Sequence, residues 1–122
     1  MKKIFFLIFL FLGTACSSVE LLPSTAAELM DEVNKFKGKK VVLVNIWALW
    51  CIPCVEEFPM IVGLDKSFDE VDVIFISADF TEQTNAVQSF LNDQGVDGIS
   101  FMKDEKDDFK TKVWCYYLSV GV

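Results

Sequence analysis

Hydrophobic and polar positions change period several times along this chain, and each change marks an element. Leu29, Val33 and Phe36 recur at i, i+4, i+7 behind Thr25-x-x-Glu28, a capping-box pattern. The spacing predicts an amphipathic helix that stops at Gly38. Val41 to Ala48 is apolar almost throughout, the mark of a buried central strand covered on both faces. Val55, Phe58, Met60, Ile61 and Leu64 then predict a helix over 54–68; Pro59 inside it removes one backbone hydrogen bond and should kink it. Val71 to Ala78, rich in β-branched and aromatic residues, reads as a second strand. Thr81 is placed to cap a helix running to Gln94, with Val87, Phe90 and Leu91 inward and Gly95 ending it. Ile99 to Met102 is a short strand, followed by a charged segment over 103–112 and an apolar tail from Val113 to Val122. Helix and strand patterns alternate, so the fold class is α/β around a sheet.

The first 15 residues follow another rule. Lys2 and Lys3 precede nine unbroken apolar residues, Ile4 to Leu12, and Gly13-Thr14-Ala15 supplies small residues before Cys16. Nine residues are too few to span a bilayer as a helix, so 1–15 reads as an export signal. A cysteine at the cleavage point is similar to a bacterial lipobox, although the aliphatic Leu12 lies one position further upstream than usual. Cys16 is therefore expected to carry lipid, with ordinary cleavage near Ala15 as the alternative. The expected organisation is a lipoprotein-type signal over 1–15, a polar tether over 16–24 and one domain over 25–122. The protein would then be exported and membrane-anchored, facing the periplasm or the cell exterior.

Charge and missing residue types narrow the chemistry. The 122 residues carry a net charge of −7, which becomes −9 once Lys2 and Lys3 leave with the signal. Such a surface argues against nucleic acid and against adsorption on anionic lipid, so membrane attachment falls to the lipid chain. There is no histidine and no arginine, which removes His-based catalysis and His-ligated metal and leaves carboxylates as proton carriers. No metal and no cofactor are expected.

The chemistry is concentrated in Trp50-Cys51-Ile52-Pro53-Cys54, between the strand and the following helix. A thiol at a helix N-terminus meets unpaired N–H groups and the positive end of the helix dipole, both of which favour thiolate. Cys51 is the candidate nucleophile and Cys54, one turn on, the resolving thiol. A structural disulfide or half of a zinc site are the alternatives, but zinc wants about four ligands and only one further thiol, Cys115, remains in the domain. Cys115 reads as incidental. Glu57, three residues after Cys54 on the same helical face, is the acid–base candidate for Cys54, provided that it is buried. Glu56 reads as a solvated neighbour. Trp50, Ile52 and Pro53 flank the thiols: Trp50 at the rim, Ile52 and Pro53 setting the geometry between them. Trp47 reads as core.

With these residues in view, the chain resembles the TlpA/ResA-like branch of the thioredoxin family. The resemblance rests on Val44 to Cys54, on Glu57 and Pro59 three and five residues after Cys54, and on the strand–helix–strand stretch from Val71 to about Asp104. It implies a thioredoxin-like fold and protein disulfide reduction outside the cytoplasm. Disulfide-bonded exported proteins, apocytochrome c among them, would be substrates, and a membrane thiol carrier the electron donor. Plain thioredoxins place a buried aspartate where this chain has Asn45, which leaves Glu57 as the proton acceptor. They also continue into a cis-proline loop, a hairpin and a last helix; no proline follows Pro59 here, so the resemblance implies a fold incomplete at its C-terminal end, by truncation or frameshift. A peroxiredoxin-like (AhpC/TSA) peroxidase is the enzyme alternative, though it normally needs an arginine beside its cysteine. A non-catalytic thioredoxin-like binding module, or an inactive truncated product, is the alternative outside catalysis.

Overall fold

The computed structural model describes residues 18–106. Its strands are β1 (Glu20–Ser24), β2 (Val41–Trp47), β3 (Val71–Ser77) and β4 (Ile99–Lys103); its helices are α1 (Ala26–Asn34), α2 (Ile52–Ser67) and α3 (Thr84–Asp93). The strands form one sheet in the order β1-β4-β3-β2, with every pairing parallel. This mixed α/β architecture is that of a thioredoxin-like fold. The stretch after β3 threads β4 between β1 and β3, so the segment over 71–104 is a strand–helix–strand unit within the sheet.

Local chemistry explains where the helices start and stop. The capping box at Thr25 is present: the Glu28 N–H donates to Thr25 Oγ1 at 3.3 Å, and the Thr25 N–H donates to Glu28 Oε2 at 2.8 Å. Gly95, directly after the cap of α3, has a φ of 71°, in the left-handed region where a Cβ would be strained; α1 instead ends at Asn34, short of the expected stop at Gly38 (φ 75°), and the chain between them runs as turns. Thr81 does not cap an α-helix. A 3-10 turn, Thr81–Gln83, precedes α3, and both the N–H and the hydroxyl of Thr81 donate to Glu105 Oε1, at 2.8 and 2.9 Å. Helix α2 continues through Pro59, which is exposed.

Side-chain alternation divides the core between the two sheet faces. On one face Ala26, Leu29 and Val33 of α1 cover Val42, Val44, Ile74, Ile76 and Phe101. On the other, α2 and α3 cover Leu43, Trp47, Val73, Phe75 and Met102. There Phe58 of α2 is fully buried, with ring centroids 4.7 Å from Trp47, 5.0 Å from Phe75 and 5.0 Å from Phe90. Such aromatic pairs contribute about 0.5–1.5 kcal/mol each beyond the area they bury, and these tie β2, α2, β3 and α3 together.

Two expectations are corrected. Residues 20–24, read as tether, are strand β1, and Val19 before them is buried. Val19 is held on both sides: its N–H donates to Asn92 Oδ1 (2.9 Å) and its carbonyl accepts from Gln88 Nε2 (2.8 Å). Pro23 disguised the strand, yet an edge strand tolerates a proline whose missing N–H would have pointed outward. The second correction concerns β2, which has helices over both faces as expected but lies at an edge among the described residues, with Val41 67% exposed; β3, beside it, is the more deeply buried strand.

Candidate active site

Strand β2 delivers the chain to the C-terminal edge of the sheet, and the turn after it aims the first cysteine. The Cys51 N–H donates to the Ala48 carbonyl at 3.1 Å, closing a turn over 48–51. Cys51 is then the N-cap of α2, with extended φ and ψ of −89° and 93°, and its carbonyl accepts from the Val55 N–H at 3.1 Å. An N-cap side chain ordinarily accepts from the second or third N–H of its helix. Here the second helical residue is Pro53, which has no N–H, and the disulfide-bonded Cys51 side chain makes no cap hydrogen bond; in the reduced protein the Cys54 N–H is the cap donor open to a Cys51 thiolate. The dipole of the 16-residue helix adds to that preference.

Cys51 and Cys54 are joined in a disulfide, with Cα atoms 5.3 Å apart. Both cysteines are half-buried, and Cys54 packs against the core under α2. Trp50 and Ile52 stand 67% and 69% exposed, and Pro53 is exposed as well, so the disulfide is rimmed by apolar surface. Glu57 is exposed beside Glu56, so the described residues do not supply the burial its proton-accepting role calls for. Asn45 shares the sheet face of Leu43 and Trp47 by the alternation of β2. Its Oδ1 is buried with no hydrogen-bond partner among the described residues.

A carboxylate that the sequence reading did not single out is built into this edge. Asp79, two residues past β3, is 1% exposed. Its Oδ1 and Oδ2 lie 3.2 and 3.0 Å from the Leu49 N–H, and Oδ2 also accepts from the Ser77 hydroxyl at 2.8 Å. The Asp79 N–H returns a bond to Ser77 Oγ at 3.1 Å, and the Ala78 N–H donates to the Trp47 carbonyl at 2.8 Å. The available signal was a Ser-x-Asp pair at the end of an apolar strand, where a buried edge needs acceptors for the backbone of its neighbour. Cys16, Cys115 and the end of the acidic run over 104–108 lie outside the described residues.

Comparison with known proteins agrees with this geometry. Thiol-disulfide oxidoreductase ResA of Bacillus subtilis is 37% identical over 65 residues, which are 53% of this chain and 36% of that protein. Thiol:disulfide interchange protein HelX of Rhodobacter capsulatus is 33% identical over 83 residues, 68% of this chain and 44% of HelX. Thioredoxin H-type of Picea mariana is 30% identical over 109 residues, 81% of this chain and 80% of that protein. The chain thus spans less than half the length of ResA and HelX. Residues 22–113, from β1 through the site to beyond β4, match the Redoxin family, and the chain belongs to that family.

Proposed function

We propose that this protein is a thiol–disulfide oxidoreductase that reduces protein disulfides outside the cytoplasm, held at a membrane by lipid on Cys16. The observation that carries the reading is the Cys51–Cys54 disulfide at the N-cap of α2, on the C-terminal edge of a parallel sheet. In the reduced protein the Cys51 thiolate, stabilised by the Cys54 N–H and the helix dipole, attacks one sulfur of a substrate disulfide. The other substrate sulfur leaves as a thiolate and takes a proton from solvent. Cys54 then loses its proton, with Glu57 and water as the acceptors within reach of solvent, and attacks the Cys51 sulfur. The second substrate thiol is released, and the Cys51–Cys54 disulfide of the structure is the product. Two electrons from an external dithiol restore the reduced pair.

The exposed Trp50, Ile52 and Pro53 offer an extended polypeptide an apolar contact beside the sulfurs. Family resemblance supports disulfide-bonded exported proteins, apocytochrome c among them, as substrates and a membrane thiol carrier as donor. The signal-like pattern over 1–15 supports export. Among the described residues no helix is long and apolar enough to cross a membrane, and lipid on Cys16 would supply the attachment. The peroxidase alternative lacks the arginine its cysteine would need.

Turbidimetric reduction of insulin tests the reading. Cys51→Ser should abolish turnover, and Cys54→Ser should trap a mixed disulfide through Cys51. Equilibration with glutathione should place the pair toward the thioredoxin value, about −270 mV. A Cys51→Ser protein that still reduces insulin, or a potential near about −120 mV, would overturn it.

A further inference from the structure

The Asp79 carboxylate has a use beyond filling an acceptor position. It reaches across from the end of β3 and takes the backbone N–H of Leu49, the residue that follows Ala48 in the turn closed by the Cys51 N–H. Ser77 Oγ fixes Asp79 twice, donating to its carboxylate and accepting from its N–H, so the carboxylate is itself held. The parallel bond from Ala78 to Trp47 fixes the residue just before the turn. Between Trp47 and Cys51 the chain is thus anchored at Trp47 by backbone, at Leu49 by Asp79 and at Cys51 by its own turn bond.

We propose that Asp79 is a positioning residue of the dithiol site, holding the 48–51 turn so that the Cys51 sulfur is delivered to the N-cap of α2 and within closing distance of Cys54. Without it, Leu49 loses the acceptor that sets the turn, and two quantities change. The Cys51 thiolate spends less time beside the Cys54 N–H, so it reacts more slowly. Closing the disulfide must also order a looser turn, so the dithiol form gains relative to the disulfide. The equilibrium that reads this is the exchange of the protein disulfide and two glutathione thiols for the protein dithiol and one glutathione disulfide.

Two variants of the full chain separate position from charge. Asp79→Ala removes both acceptors. Asp79→Asn removes the charge but keeps both bonds when its amide oxygen takes the place of Oδ2, which accepts from the Leu49 N–H and from the Ser77 hydroxyl. Asp79→Ala is expected to shift the glutathione equilibrium about tenfold toward the dithiol, or ~30 mV for two electrons, and to slow Cys51 alkylation several-fold. Asp79→Asn is expected to stay within about twofold of the parent in both, given the preserved bonds. Should Asp79→Ala fail to fold, Ser77→Ala, which frees one side of the carboxylate, is expected to move both readouts the same way by about threefold.

Unchanged equilibrium and alkylation in Asp79→Ala, with only a lowered melting temperature, would make Asp79 structural and overturn the proposal. So would an Asp79→Asn shift as large as that of Asp79→Ala, which would assign the effect to charge. Where Asp79→Ala does not fold, a Ser77→Ala single variant identical to the parent in both readouts would overturn it equally. The proposal rests on Cys51 and Cys54 being the redox pair; a parent protein whose disulfide never equilibrates with glutathione would overturn that reading instead, and alkylation of Cys51 after chemical reduction still judges Asp79.

Discussion

Two carboxylates near the thiols differ in what surrounds them, and that decides which can be strongly coupled to the chemistry. Glu57 is exposed on α2, whereas Asp79 is buried and bonded to the turn before Cys51. A solvated carboxylate shares proton transfer with water, so Glu57→Gln should slow the resolution of a Cys51 mixed disulfide by less than about threefold, against the 10²–10⁴ of a positioned general base. Stopped-flow reduction of a peptide disulfide measures this; a hundredfold loss would show that substrate covers Glu57 and restores the base role. The cysteine pair was legible because spacing and strand-to-helix position carry its chemistry. Asp79 was not, because its role lies in a partner, Leu49, thirty residues away, and nothing in Ser77-Ala78-Asp79 names that partner.

Elements were read well where periodicity ran long and poorly where it was short. Strand β3 and helix α3 lie close to their sequence spans, and α1 starts at its capping box but ends at Asn34, short of Gly38. Strand β1 has five residues, one of them proline, and no alternation to detect; its pairing with β4 is what makes it a strand. Strand β2 looked central because nearly all its residues are apolar; among the described residues it lies at an edge, since sheet order is a tertiary property that hydropathy does not encode. The junction of the 3-10 turn with β4 carries a pH test. Bonds from the Thr81 N–H, then from the Thr81 hydroxyl, with the Lys103 charge adding, hold the Glu105 carboxyl below its ordinary value. A lowered folded-state value means that this link stabilises above the unfolded-state value and is lost as pH falls through the folded one. The Thr81 amide resonance should therefore titrate with a midpoint below about 4.3, the ordinary glutamate value. A midpoint at or above that value would show that the bonds from Thr81 do not hold in solution.

At the scale of the whole molecule, the buried Val19 sets how far the proposed anchor lets the site travel. Only Ser17 and Ser18 separate Cys16 from Val19, so the chain from the anchor to the fold spans at most about 11 Å. The strand register places Glu20 opposite Ile99, and Trp47 opposite Ser77, which is opposite Met102, itself opposite Pro23. Val19 is therefore four residues below Trp47 in strand height and three strands away from it. At about 3.3 Å per residue and 4.8 Å per strand, those offsets are roughly 13 and 14 Å, a separation on the order of 20 Å. The dithiol is then confined to roughly 40 Å of the bilayer surface, the sum of the tether, the offset to Trp47 and at most about 10 Å more through the 48–51 turn to Cys51. Had residues 17–24 been a tether, the reach would have been some 20 Å greater. Lipidated protein on vesicles should reduce disulfide probes held on rigid spacers up to about 40 Å above the headgroups and fail with taller ones. Twenty Gly-Ser residues inserted between Ser17 and Ser18, adding about 25 Å of root-mean-square reach, should restore reduction of the tall probes. Equal reduction of short and tall probes by the protein without the insert would mean that the fold does not hold Val19 in the anchored state, or that Cys16 is not where the membrane is met.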